Sequence, residues 1–204
     1  MGPRETLRQG LEKLGLPSDR DTLGLFDLYL SELKKWNRAY SITSIRDDRE
    51  IAINHFLDSA LYLVGLDDSV RSLADIGSGG GFPGVPVKIL RPELEVHLVE
   101  PTGKKATFLR TLTGRLGLHG VTVHDKRVEQ LSGVIVDAAV TRALFSVREF
   151  YDAASHTVRE GGRFVLSKGP RYEEELRDVG LRYEVMDAAL PFSDALRHII
   201  VIRK

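Results

Sequence analysis

The first third of the chain carries apolar residues at the spacing of amphipathic helices. One helix is expected to start after residues 18–21, where polar side chains can cap its N-terminus. Its apolar positions share one face and are Phe26, Tyr29, Leu30, Leu33 and Trp36. Further helices are expected from about residue 48 and over 55–64. The pattern therefore predicts that residues 4–66 are mainly helical.

The pattern changes at Ser72, where apolar runs of strand length begin to alternate with helix-length segments. The predicted strands are 72–76, 95–100, 121–124, 138–141, 163–167, 182–187 and 197–202. The predicted helices are 83–91, 104–116, 147–160 and 172–179, with a helical turn at 128–131. This alternation indicates an α/β fold with a seven-stranded, mainly parallel sheet, helices on both faces and a closing antiparallel pair. We expect a helical appendage at 1–66 and one compact core at 67–204.

A glycine-dense turn, LADIGSGGGFPGVP at 73–86, joins the first predicted strand to a helix. Such a turn presents backbone to a nucleotide-like ligand. One frame matches the dinucleotide pattern at Gly79, Gly81 and Gly84, but a pyrophosphate needs free N–H groups at the helix start. Pro83 has no N–H and Phe82 is bulky. The turn therefore favours a ligand without phosphate, and S-adenosylmethionine is such a ligand.

The polar residues around this turn have distinct predicted roles. Asp75 is expected to order the turn, while Gly77 and Gly79 allow close approach of the ligand. Phe82 is expected to line the ligand slot. Glu100 ends the second strand, 23 positions after Gly77, close to the ~20-residue spacing of a ribose-binding acid.

Two further loops follow strands on the same predicted edge of the sheet. Residues 126–129, including Glu129, follow the third strand and are expected to flank the adenine. Arg142 follows the fourth strand. Because ligands bind at the carboxyl ends of strands in open α/β sheets, Arg142 is expected to project from the functional edge.

Composition excludes several other chemistries. The chain has no cysteine, so there is no thiol nucleophile, no cysteine-bound zinc and no disulfide framework. The six histidines show no metal-binding spacing, and we expect no metal. No run is apolar enough to span a membrane or resembles a signal peptide, which predicts a cytoplasmic protein. The formal net charge is zero, so binding of nucleic acid would need a local basic face.

Several separated segments form a distinctive set. They are 35–45 (KWNRAYSITSI), 55–59 (HFLDS), 75–86 (DIGSGGGFPGVP), 104–109 (KKATFL), 127–129 (RVE), 141–143 (TRA) and 168–169 (KG). In this order and over nearly the whole chain they resemble the bacterial RsmG family, also called glucose-inhibited division protein B. Ser41 stands where that family usually has Asn, and Thr141 where it usually has Ser.

The resemblance implies a Rossmann-like class I methyltransferase that transfers a methyl group from S-adenosylmethionine to guanine N7 in 16S ribosomal RNA. It implies cofactor contacts at Gly77, Phe82, Val128, Glu129 and Arg142, with Thr102 near the ribose. N7 attacks through a lone pair and loses no proton, so no general base is required. Arg142 is the candidate catalytic residue that orients the base and the cofactor.

Cations around one mouth are expected to hold the RNA phosphates. They are Lys34, Lys35, Arg38, Arg46, Lys104, Lys105 and Lys168. Trp36 lies on the apolar face of its helix, where core packing is favoured over stacking on a base. The expected partner is the small ribosomal subunit, and the expected oligomeric state is a monomer.

Three other functions share parts of this pattern. An S-adenosylmethionine-dependent methyltransferase acting on another RNA or on a small molecule would keep the cofactor turn. A nicotinamide-dependent dehydrogenase would also use a glycine turn, but Phe82 and Pro83 disfavour it. A non-catalytic RNA-binding protein would keep the fold without transferring a methyl group. Methyl transfer into ribosomal RNA separates these alternatives.

Overall fold

The computed structural model describes residues 1–177 and 179–204, and its N-terminal part is helical as predicted. Helix α1 is Pro3–Lys13 and α2 is Arg20–Asn37. The Asp19 carboxylate caps α2 by accepting the backbone N–H groups of Asp21 and Thr22, both at 3.0 Å.

The segment 48–65 is one uninterrupted run of helical turns. It comprises α3 (Asp48–Ile51), a π-helical stretch (Ala52–Leu57), α4 (Asp58–Ala60) and a 3₁₀ stretch (Leu61–Gly65). The sequence predicted two separate helices here, because its apolar spacing shifts where the π turn widens the helix. That turn lies next to the side chains of the candidate site.

Seven strands form one sheet. They are β1 (Ser72–Ile76), β2 (Glu95–Val99), β3 (Val121–His124), β4 (Val136–Arg142), β5 (Val158–Lys168), β6 (Tyr183–Ala189) and β7 (Leu196–Arg203). Their order is β3-β2-β1-β4-β5-β7-β6. Strands β1 to β5 pair in parallel, and β7 runs antiparallel to both of its neighbours. The predicted mainly parallel, seven-stranded sheet is confirmed.

Helices cover both faces of this sheet. They are α5 (Gly84–Leu90), α6 (Gly103–Arg115), α7 (Val147–Ala154) and α8 (Tyr172–Leu176). One hydrophobic cluster joins the N-terminal helices to the sheet and includes Leu11, Phe56 and Val165. A second cluster lies on the opposite face and includes Phe150 and Phe164. The division at 66/67 stays a prediction, since residues from both sides of it share the first cluster.

Two predicted helices differ from the structure. The helix predicted at 147–160 is α-helical to Ala154 and continues as a 3₁₀ stretch over Ser155–Thr157, and β5 starts at Val158. Gly161, at φ 73°, and Gly162 let the long strand β5 bend after this start. The helix predicted at 172–179 is α8, which ends at Leu176, and residue 178 of that prediction lies outside the described residues. Within the described ranges, no helix has the length and apolar character needed to cross a membrane.

Candidate functional site

The glycine turn lies where the strand order reverses, between β1 and β4. Such a switch point is the usual ligand crevice of an open α/β sheet. Gly77, Gly79 and Gly81 have φ values of 74°, 56° and 95°, which side chains of L-residues rarely adopt. The N–H groups of Gly77 and Ser78 donate to the carbonyl oxygen of Val99, at 2.8 and 3.1 Å. The turn therefore curls over the end of β2.

Asp75 connects β1 to the start of α5. Its side chain is fully buried, and its Oδ2 accepts the Gly84 N–H at 2.9 Å. A Cβ at position 84 would lie 2.7 Å from that oxygen, so glycine is required for the contact. Burial raises the pKa of Asp75 to about 7, because a low-dielectric environment disfavours the carboxylate. Oδ1 has no hydrogen-bond partner in the described part of the chain.

Glu100 ties the glycine turn to the loop after β2. Its Oε2 accepts the Gly79 N–H and its Oε1 accepts the Thr102 N–H, each at 2.8 Å. The residue is only 5% exposed. Two loops that approach a ligand from different strands are thus held by one carboxylate.

A cavity of about 200 Å³ opens beside this turn. Its lining residues are Ile76, Gly77, Val99, Pro101, Arg127, Val128, Glu129, Leu144 and Phe145. Three predicted cofactor residues therefore lie together in its wall, namely Gly77, Val128 and Glu129. The Leu144 side chain occupies the space that a Cβ on Gly77 would need.

Phe82 and Arg142 do not line this cavity but form a second group next to the turn. The Phe82 ring is buried, and the Arg142 guanidinium lies 4.9 Å from its centroid. Arg142 Nη1 donates to the Asn54 carbonyl oxygen at 3.1 Å and to Asp58 Oδ2 at 3.4 Å. Its Nη2 contacts His55 Nδ1 at 3.0 Å. The guanidinium is therefore fixed by the π-helical segment, while its Nε–H donates to no group in the described ranges.

His55 is the acceptor in its contact with Arg142. Because a guanidinium only donates, the proton of the imidazole must be on Nε2, which then donates to Thr43 Oγ1 at 2.7 Å. The imidazole also stacks on Phe82, with 4.4 Å between ring centroids. Burial, followed by the nearby Arg142 charge, lowers the pKa of His55 to about 3. His55 is thus a neutral, fixed support for Arg142.

Asp58 links Arg142 to a second cation. Its Oδ1 accepts the Arg197 Nε–H at 2.6 Å, while Oδ2 faces Arg142. Arg197 comes from β7, whose reversed direction brings its N-terminal end to the carboxyl edge of the parallel strands. Sequence reasoning did not find Arg197, because nothing near it in the chain marks it.

The loop 38–47 holds this group against the glycine turn. Asn37 Oδ1 accepts the Thr43 N–H at 3.0 Å, and its Nδ2 donates to the Thr43 carbonyl oxygen at 2.9 Å. Tyr29 donates its hydroxyl to the Gly80 carbonyl oxygen at 2.6 Å. Asn37, Tyr29 and Thr43 were missed as site residues. The sequence feature that could have indicated them is a polar group on the apolar face of α2, as in Tyr29 and Asn37, or in the loop that follows it, as in Thr43.

The predicted RNA contacts fall into two sets. The first set comprises Lys34, Lys35, Arg38 and Arg46, which lie on α2 and the loop 38–47. Lys104, on α6, belongs with them, because its Nζ lies 5.4 Å from the centroid of the Tyr40 ring. Lys168 is separate, since its Nζ donates to the Phe145 carbonyl oxygen at 2.7 Å and pairs with Glu175 at 2.8 Å. Lys105 is partly buried on α6. Trp36 packs edge-on against Phe108 with centroids 5.6 Å apart.

No group of three or more side chains suited to hold a metal ion occurs in residues 1–177 and 179–204.

Sheet order, glycine turn and switch-point cavity together define the class I methyltransferase fold. The solved structure of magnesium protoporphyrin IX methyltransferase from Synechocystis, with bound SAM, shares this fold at a TM-score of 0.59 and 14% identity. The match covers 86% of this chain and 97% of that chain. The fold predicted from the sequence is confirmed.

The chain belongs to the family described as rRNA small subunit methyltransferase G, whose model matches residues 23–199. It is similar to ribosomal RNA small subunit methyltransferase G of Aromatoleum aromaticum, with 38% identity over 207 residues and 98% of each chain covered. The protein of that name from Neisseria meningitidis serogroup B is 34% identical over 208 residues, with 100% of each chain covered. The family indicated by the sequence motifs is confirmed.

Proposed function

We propose that this protein transfers a methyl group from S-adenosylmethionine to N7 of a guanine in 16S ribosomal RNA. Membership of the rRNA small subunit methyltransferase G family, over residues 23–199, carries the proposal. We further propose that the protein works as a monomer, in the cytoplasm, on the small ribosomal subunit.

The residues at the carboxyl edge fit an adenosine-bearing cofactor. The cavity wall is mostly apolar, which suits a purine, and Gly77 offers bare backbone to it. Each oxygen of Glu100 accepts one N–H and keeps capacity for a ribose hydroxyl. The unpartnered Oδ1 of Asp75 provides a further buried acceptor. The proposed cofactor contacts are Asp75, Gly77, Gly79, Phe82, Glu100, Thr102, Val128, Glu129 and Arg142.

The reaction needs alignment rather than proton removal. When bound, S-adenosylmethionine would supply the methyl group of its sulfonium. The N7 lone pair forms the new carbon–nitrogen bond as the carbon–sulfur bond breaks, S-adenosylhomocysteine is the leaving group, and no proton leaves N7. We infer that His55 does not act as a base, because its Nδ1 accepts from Arg142, its Nε2 donates to Thr43, and burial lowers its pKa to about 3. Arg142 is held on three sides and keeps its Nε–H for guanine O6, which leaves N7 open to the methyl group.

We infer that the RNA backbone is held by cations on both flanks of the turn. The proposed phosphate contacts are Lys34, Lys35, Arg38, Arg46, Lys104, Lys105 and Lys168. The loop 38–47 supports this arrangement, because it joins the cations of α2 to the wall of the glycine turn. Binding through these residues should weaken with rising salt.

Methyl transfer into defined RNA tests the proposal. Tritiated S-adenosylmethionine is incubated with 30S subunits and with protein-free 16S rRNA, both from cells lacking this modification. We expect label in small-subunit RNA, recovered after digestion as 7-methylguanosine. Label in another base or position, or no transfer to either substrate, would contradict the proposal.

A further inference from the structure

A narrow slot opens between the C-terminal half of α2, the loop 38–47 and α3. Its volume is about 170 Å³. Its apolar floor is formed by Leu33, Ile45 and Ile51, and its rim by the cations Lys34, Arg38 and Arg46. We name this cavity the α2 slot. Its rim cations are among the phosphate contacts proposed above, but its apolar floor has no role in the cofactor or guanine contacts.

The size and chemistry of the α2 slot suit one nucleobase. An apolar cavity of about 150 Å³ holds a benzene ring, so the α2 slot has room for an aromatic ring that enters from solvent. Leu33 and Ile51 are buried beneath it, which gives the ring an apolar surface. Cations at the rim lie where the phosphate next to such a base would run.

One of the rim cations is available for a ligand. Lys34 is paired with Asp48 at 2.7 Å, and Arg46 donates to the Asn37 carbonyl oxygen at 3.2 Å. Arg38 is exposed and forms neither an ion pair nor a side-chain hydrogen bond within residues 1–177 and 179–204. A groove of about 510 Å³ continues from Arg38 past Lys35, with Asp27 as an acidic neighbour.

The α2 slot shares a wall with the glycine turn. Ile45 on its floor and Ile42 belong to the same loop, and Ile42 Cγ2 lies 3.2 Å from the Cβ position of Gly80. Asn37 lines the slot and also holds Thr43, which bonds His55 and so leads to Arg142. A strand of RNA that places one base near Arg142 can therefore place another in the slot.

We propose that the α2 slot binds an unpaired nucleotide of the RNA substrate, distinct from the guanine that is methylated. The base lies on Leu33, Ile45 and Ile51, and Arg38 contacts its phosphate. This inference rests on the proposed function, because the ribosomal RNA is what brings the nucleotide. Single-stranded RNA is favoured over a protein segment because a cationic rim around a floor for one ring matches a base with its phosphate.

Binding affinities test the slot without relying on catalysis. Dissociation constants are measured for protein-free 16S rRNA, for 30S subunits and for S-adenosylhomocysteine. Ile45→Trp fills the slot and should weaken RNA binding about tenfold, the effect of losing one stacked base. Arg38→Gln should weaken it several-fold and reduce the salt slope by about one. Neither variant should change the affinity for S-adenosylhomocysteine.

Matched controls separate the slot from general effects. Arg20→Gln removes an exposed cation at the other end of α2, and Ile135→Trp adds a ring at an exposed position before β4. Both should bind RNA like the wild type.

The outcomes of these measurements decide between the proposals. Unchanged RNA affinity in Arg38→Gln and Ile45→Trp would overturn the proposal that the α2 slot binds a nucleotide. Weaker binding to 30S subunits alone would indicate a protein ligand and also overturn it. An inactive wild type that still shows these affinity differences would contradict only the proposed function.

Discussion

The two halves of the site are constructed in different ways. The cofactor half uses backbone and residues close in sequence, with Gly77, Gly79 and Glu100 following two neighbouring strands. The half around Arg142 uses side chains from distant positions, including His55 and Asp58. A backbone turn tolerates few residue types but leaves a motif in the sequence. The side-chain half lies in segments that match the family, 55–59 and 141–143, but residue types and spacing alone do not indicate that these side chains meet.

Because of this difference, substitutions in the two halves should affect different properties of the enzyme. Damage to the backbone half should mainly change cofactor affinity, while damage to the side-chain half should change the rate much more than the cofactor affinity. Each variant below is therefore measured for S-adenosylhomocysteine affinity and for kcat with 30S subunits.

Arg142→Ala should have the largest effect. It removes the group that we propose orients guanine, and loss of one positioned donor lowers kcat by roughly 100- to 1,000-fold. Cofactor affinity should fall far less, because Arg142 does not line the cavity beside Gly77. A variant that keeps the wild-type kcat, and both wild-type KM values, would remove Arg142 from the mechanism.

Asp75→Asn should change the pH dependence of stability. Because burial raises the pKa of Asp75 to about 7, the native state holds more protons than the unfolded state between about pH 4 and pH 7. Stability from this group therefore falls as pH rises through that window, by roughly 2–3 kcal/mol between pH 5 and pH 7.5. The lowered pKa of His55 changes stability in the opposite direction over this window, but it does so in the wild type and in Asp75→Asn alike. Urea unfolding at several pH values should therefore show the Asp75 loss as a difference in slope between the two proteins.

Asp137→Asn is the matched control for Asp75. Burial opposes ionisation of Asp137, but hydrogen bonds from Arg159, Arg71 and Ser72 outweigh it and lower its pKa to about 2. Its contribution is thus constant between pH 5 and pH 7.5. The variant should lose stability without changing the slope in that window. The same slope in Asp75→Asn as in the wild type would count against the raised pKa.

Gly77→Ala should weaken cofactor binding about tenfold. A Cβ there is strained at φ 74° and meets Leu144 in the cavity wall. Gly117→Ala is the control, since Gly117 has φ 63° and no atom near its Cβ position. It carries similar backbone strain and should leave cofactor affinity unchanged. Equal affinities in the two variants would show that strain alone, and not position, matters.

Two substitutions of His55 should show the smallest and most informative effect. In His55→Asn, the amide oxygen lies near the position of Nδ1 and can accept from Arg142. In His55→Gln, the longer side chain reaches the position of Nε2, near Thr43. We expect His55→Gln to lower kcat about tenfold and His55→Asn to lower it less, since leaving a buried donor unsatisfied costs about 1–3 kcal/mol. If both variants lost the same amount of kcat and both also bound the cofactor more weakly, His55 would have a purely structural role.

Most of the fold could be predicted from the sequence. Strand-length apolar runs separated by helices specify a parallel sheet, because both faces must be covered. The helix predicted at 147–160 was wrong from Val158 on, since Val158 to Glu160 fit either state and only pairing of Val158 with Val136 decides it. Likewise, the π-helical stretch Ala52–Leu57 cannot be seen in a periodicity that assumes regular turns.

The site residues also differ in how far the sequence could predict them. Gly77, Glu100 and Glu129 could be placed because each follows a strand whose position was predictable. Arg197 could not, because only the reversal of β7 and the Asp58 contact bring it to this edge. Proximity of residues 58 and 197 is a property of the folded chain and has no trace in local spacing.

The Tyr29 hydroxyl that bonds Gly80 has a consequence for engineering. A Cβ at Gly81 would also lie 2.6 Å from that oxygen. The glycine turn and the Tyr29 side chain of α2 are therefore packed too closely here for a side chain at position 81. Grafting N-terminal helices from one relative onto the sheet of another should therefore disturb methyl-donor binding unless both partners of this contact are moved together. We therefore expect α2 and the glycine turn of this chain to behave as one unit and not as interchangeable modules.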